Sequence, residues 1–179
     1  MEAAKKPLDD WMLPAYETAV AHLEGHGVVE KKEAVDNIPA GIDKNVFIAG
    51  KAIYSRDGFC ITCHQPDGKG LEASAFPPLA GSEWVNGNEE RLIKLVLKGL
   101  TGPIEVSGKK YPGQVPMTPF GGMLNDDEVA AVLTFVRNSF GSKSSAISPE
   151  KVKAVRAAIK DKTGFYSPEE LSQQHPAKK

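Results

Sequence analysis

The clearest hydrophobic rhythm along the chain lies in "NDDEVAAVLTFVRNSF", where Val129, Val132, Leu133 and Val136 recur at helical spacing. Asn125 stands where an N-cap belongs, Glu128 completes a capping box, and Asp126 and Asp127 favour the helix N-terminus. A second stretch, "NEERLIKLVLKG", groups Leu92, Ile93, Val96 and Leu97 and stops at Gly99. A third, "NVFIAGKAIYSRDGF", sets Val46, Ala49, Ile53 and Tyr54 at approximate helical spacing and predicts a helix ending near Gly58. Towards the ends, "AYETAVAHLEGHG" predicts a short helix stopping at Gly25 or Gly27. Ser148 with Pro149 opens a basic helix through "EKVKAVRAAIKDKTG", and "SPEE" at 167–170 offers another capping box. Residues 65–88 and 99–124, rich in Gly and Pro, read as loops, and no strand alternation is visible. The pattern predicts an all-α fold with three core helices and long loops.

The chain has 179 residues, 41% hydrophobic and 25% charged, enough for one domain of about 100 residues with sizeable extensions. No apolar run approaches the roughly 18 residues of a membrane span. A net charge of −1 makes no case for nucleic acid as a partner. The charge is unevenly placed: residues 1–44, 45–141 and 142–179 carry balances of −4, −1 and +4. The acidic head and basic tail read as two solvated surfaces, as a pair, or as faces for different partners. The start, "MEAAKKPLDD", has charges without the apolar core of a signal peptide. The chain is therefore either cytoplasmic or one whose leader has been removed.

Both cysteines fall in "FCITCHQPDGKG", and His64 directly follows the second. Three chemistries use two cysteines at this spacing. A structural zinc site normally needs four Cys or His ligands, and His22, His26 and His175 form no second pair. A thioredoxin-type redox pair belongs in a βαβ context, for which no strands are visible. The C-x-x-C-H string is instead the pattern of covalent haem attachment: two thiols add to the porphyrin vinyl groups while the adjacent histidine reaches the iron. The other axial position then has Met12, Met117, Met123, His22, His26 and His175 as candidates. Met117 sits in "YPGQVPMTPFGG", a Pro/Gly-rich loop directly ahead of the capped helix.

Residues 46–141 resemble a class I cytochrome c domain, through "CITCH", "FPPLAGSEWVNG", "ERLIKLVLKGLTGPI" and "VPMTPFGGMLNDDEVAAVLTFVRNSFG". They are similar to the bacterial cytochrome modules that serve dehydrogenases and related oxidoreductases. The resemblance implies one haem c per chain, bound through Cys60 and Cys63, with His64 and Met117 as iron ligands. Met123, at the helix entrance, is assigned a hydrophobic staple contact instead. The resemblance also implies that the Pro77 carbonyl accepts a hydrogen bond from the ligand histidine. Gly50 and Phe135 match the residues at which the first and last helices cross. Trp84 and Tyr111 fall where such modules hydrogen-bond a propionate, with plain core burial as the other reading, and Phe120 packs on the haem. His22, His26 and His175 lie outside the domain and read as surface histidines.

The expectation is then a one-electron carrier between periplasmic redox proteins, with its leader removed and a dehydrogenase, reductase or oxidase as donor or acceptor. Two alternatives stand beside it: a cytochrome subunit or domain of a larger dehydrogenase complex, and a haem enzyme with an open iron. Residues 1–45 read as an N-terminal extension and 142–179 as a C-terminal basic helical extension. The domain between them is expected to fold without residues 1–40 and 148–179.

Overall fold

Asp43 opens the first helix, its carboxylate accepting the backbone N–H groups of Asn45 and Val46 at 2.9 and 3.0 Å. Helix α1 runs from Lys44 to Tyr54 and ends at Ser55, ahead of the expected stop at Gly58. This is a computed structural model, and it describes residues 38–71, 73 and 76–176. The helix expected within residues 15–27, together with Met12, His22 and His26, lies outside the described residues.

The buried residues of α1 are Phe47, Gly50, Ile53 and Tyr54, while Val46 and Ala49 are exposed. The apolar pattern thus places Ile53 and Tyr54 correctly but is one residue off at its first two positions, and close approach is the reason. A Cβ on Gly50 would lie 2.1 Å from the Ala131 carbonyl oxygen and 2.7 Å from Phe135 Cβ. Without a side chain there, α1 and the last core helix can touch backbone to side chain, so α1 is turned to present the glycine. Around this crossing the ring of Phe135 meets Phe47, Tyr54 and Phe140 at centroid distances of 5.1, 5.4 and 5.8 Å.

Helix α2, Cys60–His64, is short and has no side-chain cap. Its end is fastened from outside: the Tyr54 hydroxyl donates to the Gln65 carbonyl at 2.6 Å, and Gly70 N–H donates to the His64 carbonyl at 3.0 Å. Helix α3, Glu83–Asn86, is capped by Ser82, and α4, Glu89–Lys98, by Asn88. Gly99 ends α4 at φ +75°, a backbone region in which L side chains are strained.

Part of the stretch expected as loop is a hairpin. Strands β1, Ile104–Val106, and β2, Lys109–Tyr111, pair antiparallel with Ile104 opposite Tyr111. Ser107 and Gly108 join them at φ 52° and 78°, the two positive values of a tight hairpin turn. Three residues per strand are too few for a period of two to stand out from the sequence. The fold is otherwise helical, as expected.

Helix α5, Asp126–Arg137, carries the complete Asn125–Glu128 capping box. It packs against α1 on one side and against α6, Pro149–Ala158, on another. Helix α7, Pro168–Gln174, follows the Ser167 cap. The segment after α5 is built into the same core as α4 and α5. Val152 and Leu171 are 0% exposed, and Ile147, Val155, Ile159 and Tyr166 are also buried. The buried Thr134 hydroxyl, on α5, accepts the Ile147 N–H at 3.0 Å. Arg137, with 3% of its side chain exposed, donates to the carbonyls of Val85 and Ser145 at 2.6 and 3.0 Å. An independent core without residues 148–179 is therefore at odds with the packing: those residues fill its interior.

Candidate functional site

Helices α2 to α5, the hairpin and the two loops around them enclose one cavity, in which the space open to the centres of water-sized molecules is about 210 Å³. A single water needs only about 10–15 Å³ in that measure. Apolar side chains make up most of the wall: Leu92, Leu95 and Val96 from α4, Val132, Leu133 and Val136 from α5, and Ile104 and Val106 from β1. Among the described residues lining it, none is Asp, Glu, Lys or Arg, and His64 is the one histidine. Interiors of small domains are close-packed, so an apolar space of this size calls for a large apolar occupant.

All eight residues singled out from the sequence meet on this wall: Cys60, Cys63, His64, Pro77, Trp84, Tyr111, Met117 and Phe120. The sulfurs are brought in by α2, whose single turn carries Cys60, Cys63 and His64 at positions i, i+3 and i+4, neighbours on one side of a short helix. His64 is buried, and its Nδ1 lies 2.9 Å from the Pro77 carbonyl oxygen. A carbonyl can only accept, so Nδ1 carries the proton and Nε2 keeps its lone pair. Among the described residues Nε2 has no hydrogen-bond partner. Burial holds the His64 pKa below the ordinary imidazole value, the Pro77 bond opposing in part. The ring is thus a neutral, oriented nitrogen donor with its free end at the cavity.

Burial also pushes the Cys60 thiol up to about 11 and raises that of Cys63. Thiols held protonated are poor zinc ligands and slow partners in disulfide exchange. The two cysteines are not joined to each other, and among the described residues no group of three His, Cys, Asp or Glu side chains gathers as a metal site.

Met117 reaches the wall from the loop between β2 and α5. Its backbone is paired with Leu100, donating at 2.8 Å and accepting at 3.3 Å. Met123 is 51% exposed and absent from the wall. The staple position at the entrance of α5 belongs to buried Leu124 instead, the residue directly before the N-cap. His175 also lies away from the cavity, beside Lys94 and Glu90.

The indole N–H of Trp84 donates to the Glu105 carbonyl at 2.9 Å, tying α3 to the hairpin, while the ring lines the cavity under the Arg91 guanidinium, 4.3 Å from its centroid. Tyr111 is buried opposite Ile104. Phe120 stacks at 5.2 Å on Phe59, a wall residue the sequence reading passes over although it directly precedes Cys60. Ile104 and Val106 also escape it, because the strand that carries them is so short.

The donor set and the wall fit a haem: an apolar slot, two thiols and one lone-pair nitrogen on a single turn, and a thioether on the same wall. The comparisons agree. The family model for cytochrome c matches residues 47–140. Cytochrome c-552 of Thermus thermophilus is 40% identical over 126 residues, which cover 63% of this chain and 82% of that protein. The cytochrome subunit of a fructose dehydrogenase from Gluconobacter japonicus is 30% identical over 115 residues, covering 62% of this chain and 22% of the subunit. The cytochrome c subunit of a gluconate 2-dehydrogenase from Pantoea cypripedii is 36% identical over 110 residues, 58% of this chain and 23% of that subunit. Since the family match takes in more than half of the residues and includes every side chain of the donor set, the chain belongs to the cytochrome c family, whose haem c is covalently bound and whose work is electron transfer.

Proposed function

We propose that the chain is a one-electron carrier with one haem c, bound through Cys60 and Cys63, with His64 Nε2 and the Met117 sulfur as the axial iron ligands. The observation that carries this reading is an apolar cavity whose wall holds all four of these side chains and no charged group among the described residues. When bound, the group would be held by Cys60, Cys63, His64 and Met117 and would supply one-electron redox chemistry. The chain contributes the rest. Pro77 fixes the His64 tautomer and raises its donor strength. The aliphatic side chains of α4 and α5 exclude water, and an apolar wall with a thioether ligand favours the reduced state. Carrier work rather than substrate turnover is supported by the wall itself. Among the described residues it presents no second histidine and no arginine to act on an iron-bound ligand.

The function is placed outside the cytoplasmic membrane, in the periplasm, where bacterial haem attachment takes place. Among the described residues no helix is long and apolar enough to cross a membrane. Partners are redox proteins that dock transiently. The second reading, a module of a dehydrogenase complex, is supported by the likeness to dehydrogenase cytochrome subunits, of which the chain spans about a fifth. Copurification of a dehydrogenase with the tagged chain would favour it.

Two measurements test the ligand assignment. Denaturing mass spectrometry of protein matured in a haem-attaching host is expected to show the added haem mass, lost in the Cys60→Ala/Cys63→Ala variant. The ferric protein is expected to show the weak near-infrared charge-transfer band of iron–methionine ligation. Met117→Leu should abolish that band and Met123→Leu should keep it; the reverse result would move the ligand to Met123.

A further inference from the structure

The loop that carries Met117 is tied to α4 where the Phe120 and Gly121 N–H groups donate to the Val96 and Leu97 carbonyls at 2.9 and 3.0 Å, and the chain's last helices add ties on either side of these. Leu100 pairs antiparallel with Met117 on one side and parallel with Tyr166 on the other, so three short segments lie side by side. Tyr166 N–H donates to the Gly99 carbonyl at 3.2 Å, and Thr101 N–H donates to the Tyr166 carbonyl at 2.9 Å. Gly99 is wedged between the two outer segments. A Cβ there would lie 2.4 Å from the Met117 carbonyl oxygen and 2.7 Å from the Phe165 ring.

The other end of the loop is tied to the same tail. Arg156, on α6, donates to the carbonyls of Gly121 and Leu124 and pairs with Asp126 at 2.7 Å. Lys98, at the end of α4, adds a bond of 2.8 Å to the Lys162 carbonyl. Residues 117–124 are thereby held at both ends by side chains and backbone that the sequence supplies 30 to 70 residues later.

We propose that the carboxy-terminal segment positions Met117 as axial ligand, with Tyr166 and Arg156 as the two positioning residues that set how firmly the thioether stays on the iron. The proposal rests on Met117 being the ligand. Its chemistry is steric and electrostatic. The Tyr166 backbone fixes the Gly99–Thr101 segment against which Met117 is hydrogen-bonded. The guanidinium donates to and orients the carbonyls that close the loop, and hydrogen bonds from a charged donor are the stronger kind. A ligand loop anchored at both ends has less freedom to swing its sulfur away from the metal.

The test uses full-length, haem-loaded protein with three variants: Arg156→Met, Tyr166→Pro and Tyr166→Ala. Proline removes the N–H that reaches Gly99, whereas alanine removes the ring and keeps the backbone bond. For Arg156→Met and Tyr166→Pro, the near-infrared band should weaken and carbon monoxide should bind the ferrous form faster, by about tenfold or more, as loss of one strong hydrogen bond implies. Covalent haem mass should be unchanged. Tyr166→Ala should stay close to the parent in both readouts, and Arg156→Lys should restore part of the loss. Equal band strength and equal carbon monoxide rates in parent and variants, with only the melting temperature lowered, would overturn the proposal by reducing the tail to scaffolding. A parent that lacks the band would instead overturn the Met117 assignment, and this proposal with it.

Discussion

The bond that orients His64 ends on a backbone carbonyl, so no side-chain substitution at Pro77 removes it. It can be reached through Gly70. A Cβ at Gly70 would lie 2.3 Å from the Phe76 carbonyl oxygen and 2.7 Å from that of Pro77, at φ +71°. Gly70→Ala is therefore expected to push the Pro77 carbonyl away from Nδ1 and to cost about 1–3 kcal/mol of stability. A histidine that loses its acceptor is a weaker donor to a metal, so the reduction potential should rise. Gly81→Ala is the control, having a similar φ of +69° but no atom within 4 Å of its Cβ. Redox titration of both variants decides the matter: a potential unmoved in Gly70→Ala, with the fold intact, would show that the carbonyl does not tune the ligand.

At the level of elements, α7 is held to α4 by a small polar cluster whose behaviour with pH has a definite sign. Lys94 Nζ lies 2.8 Å from Glu90, 3.1 Å from Gln174 and 3.0 Å from His175 Nε2. His175 is held below the ordinary imidazole value by burial, then by Lys94, with Arg91 adding and Glu90 opposing. Its neutral form therefore belongs to the docked state. The contribution is complete above the ordinary value near 6.5 and is lost as pH falls through the depressed one. Glu90 is lowered first by its bond from Lys94, so its share persists until pH falls below the ordinary carboxylate range. The protection of amide hydrogens across α7, taken relative to the unstructured exchange rate at each pH, is expected to fall several-fold from pH 7 to 5, and His175→Gln should flatten that dependence. A protection that stays constant over this range would remove the cluster's role.

The same scale shows what the sequence makes legible. Helices α4 and α5 have caps and a full apolar stripe, so local pattern and tertiary packing agree on them. Helix α1 is found with Ile53 and Tyr54 on its buried face, but Val46 and Ala49 give way to Phe47 and Gly50, because its orientation is decided by the Gly50 contact with α5 rather than by its own periodicity. The proposed attachment residues Cys60, Cys63 and His64 are readable because covalent haem attachment demands an unbroken local motif. By contrast, Arg137, Arg156 and Thr134 hold partners 8 to 52 residues away in sequence, and no local pattern announces such pairings.

For the molecule as a whole, the basic balance of the tail is partly spent inside the fold rather than offered to a partner. Lys151 pairs with Glu89 and Arg156 with Asp126, both partners lying outside the tail. Elements from residue 58 to residue 136 face the one cavity, so its occupant is a shared core to all of them. The Cys60→Ala/Cys63→Ala chain produced without haem is therefore expected to keep much of its helix signal. It should lose its near-ultraviolet circular dichroism and its sharp melting transition. A cooperative melt like that of the loaded protein would show that the helices pack without a common occupant.

The crossing of α1 over α5 has a kinetic side. Gly50 meets Ala131 across some 80 residues of chain, and closing a loop of that length costs on the order of 4 kcal/mol in entropy. Such non-local contacts slow folding. Cys60 and Cys63 lie only about ten residues past Gly50, while Val132 and Leu133, beside Ala131, line the cavity they open into. An occupant fastened to those thiols still has to meet α5 across about 70 residues of chain, at nearly the same entropic cost, but it offers that closure a large apolar surface carried beside α1. The position of the thiols next to the first helix, rather than in the middle of the chain, thus lets the prosthetic group act as the seed on which the first and last core helices find each other.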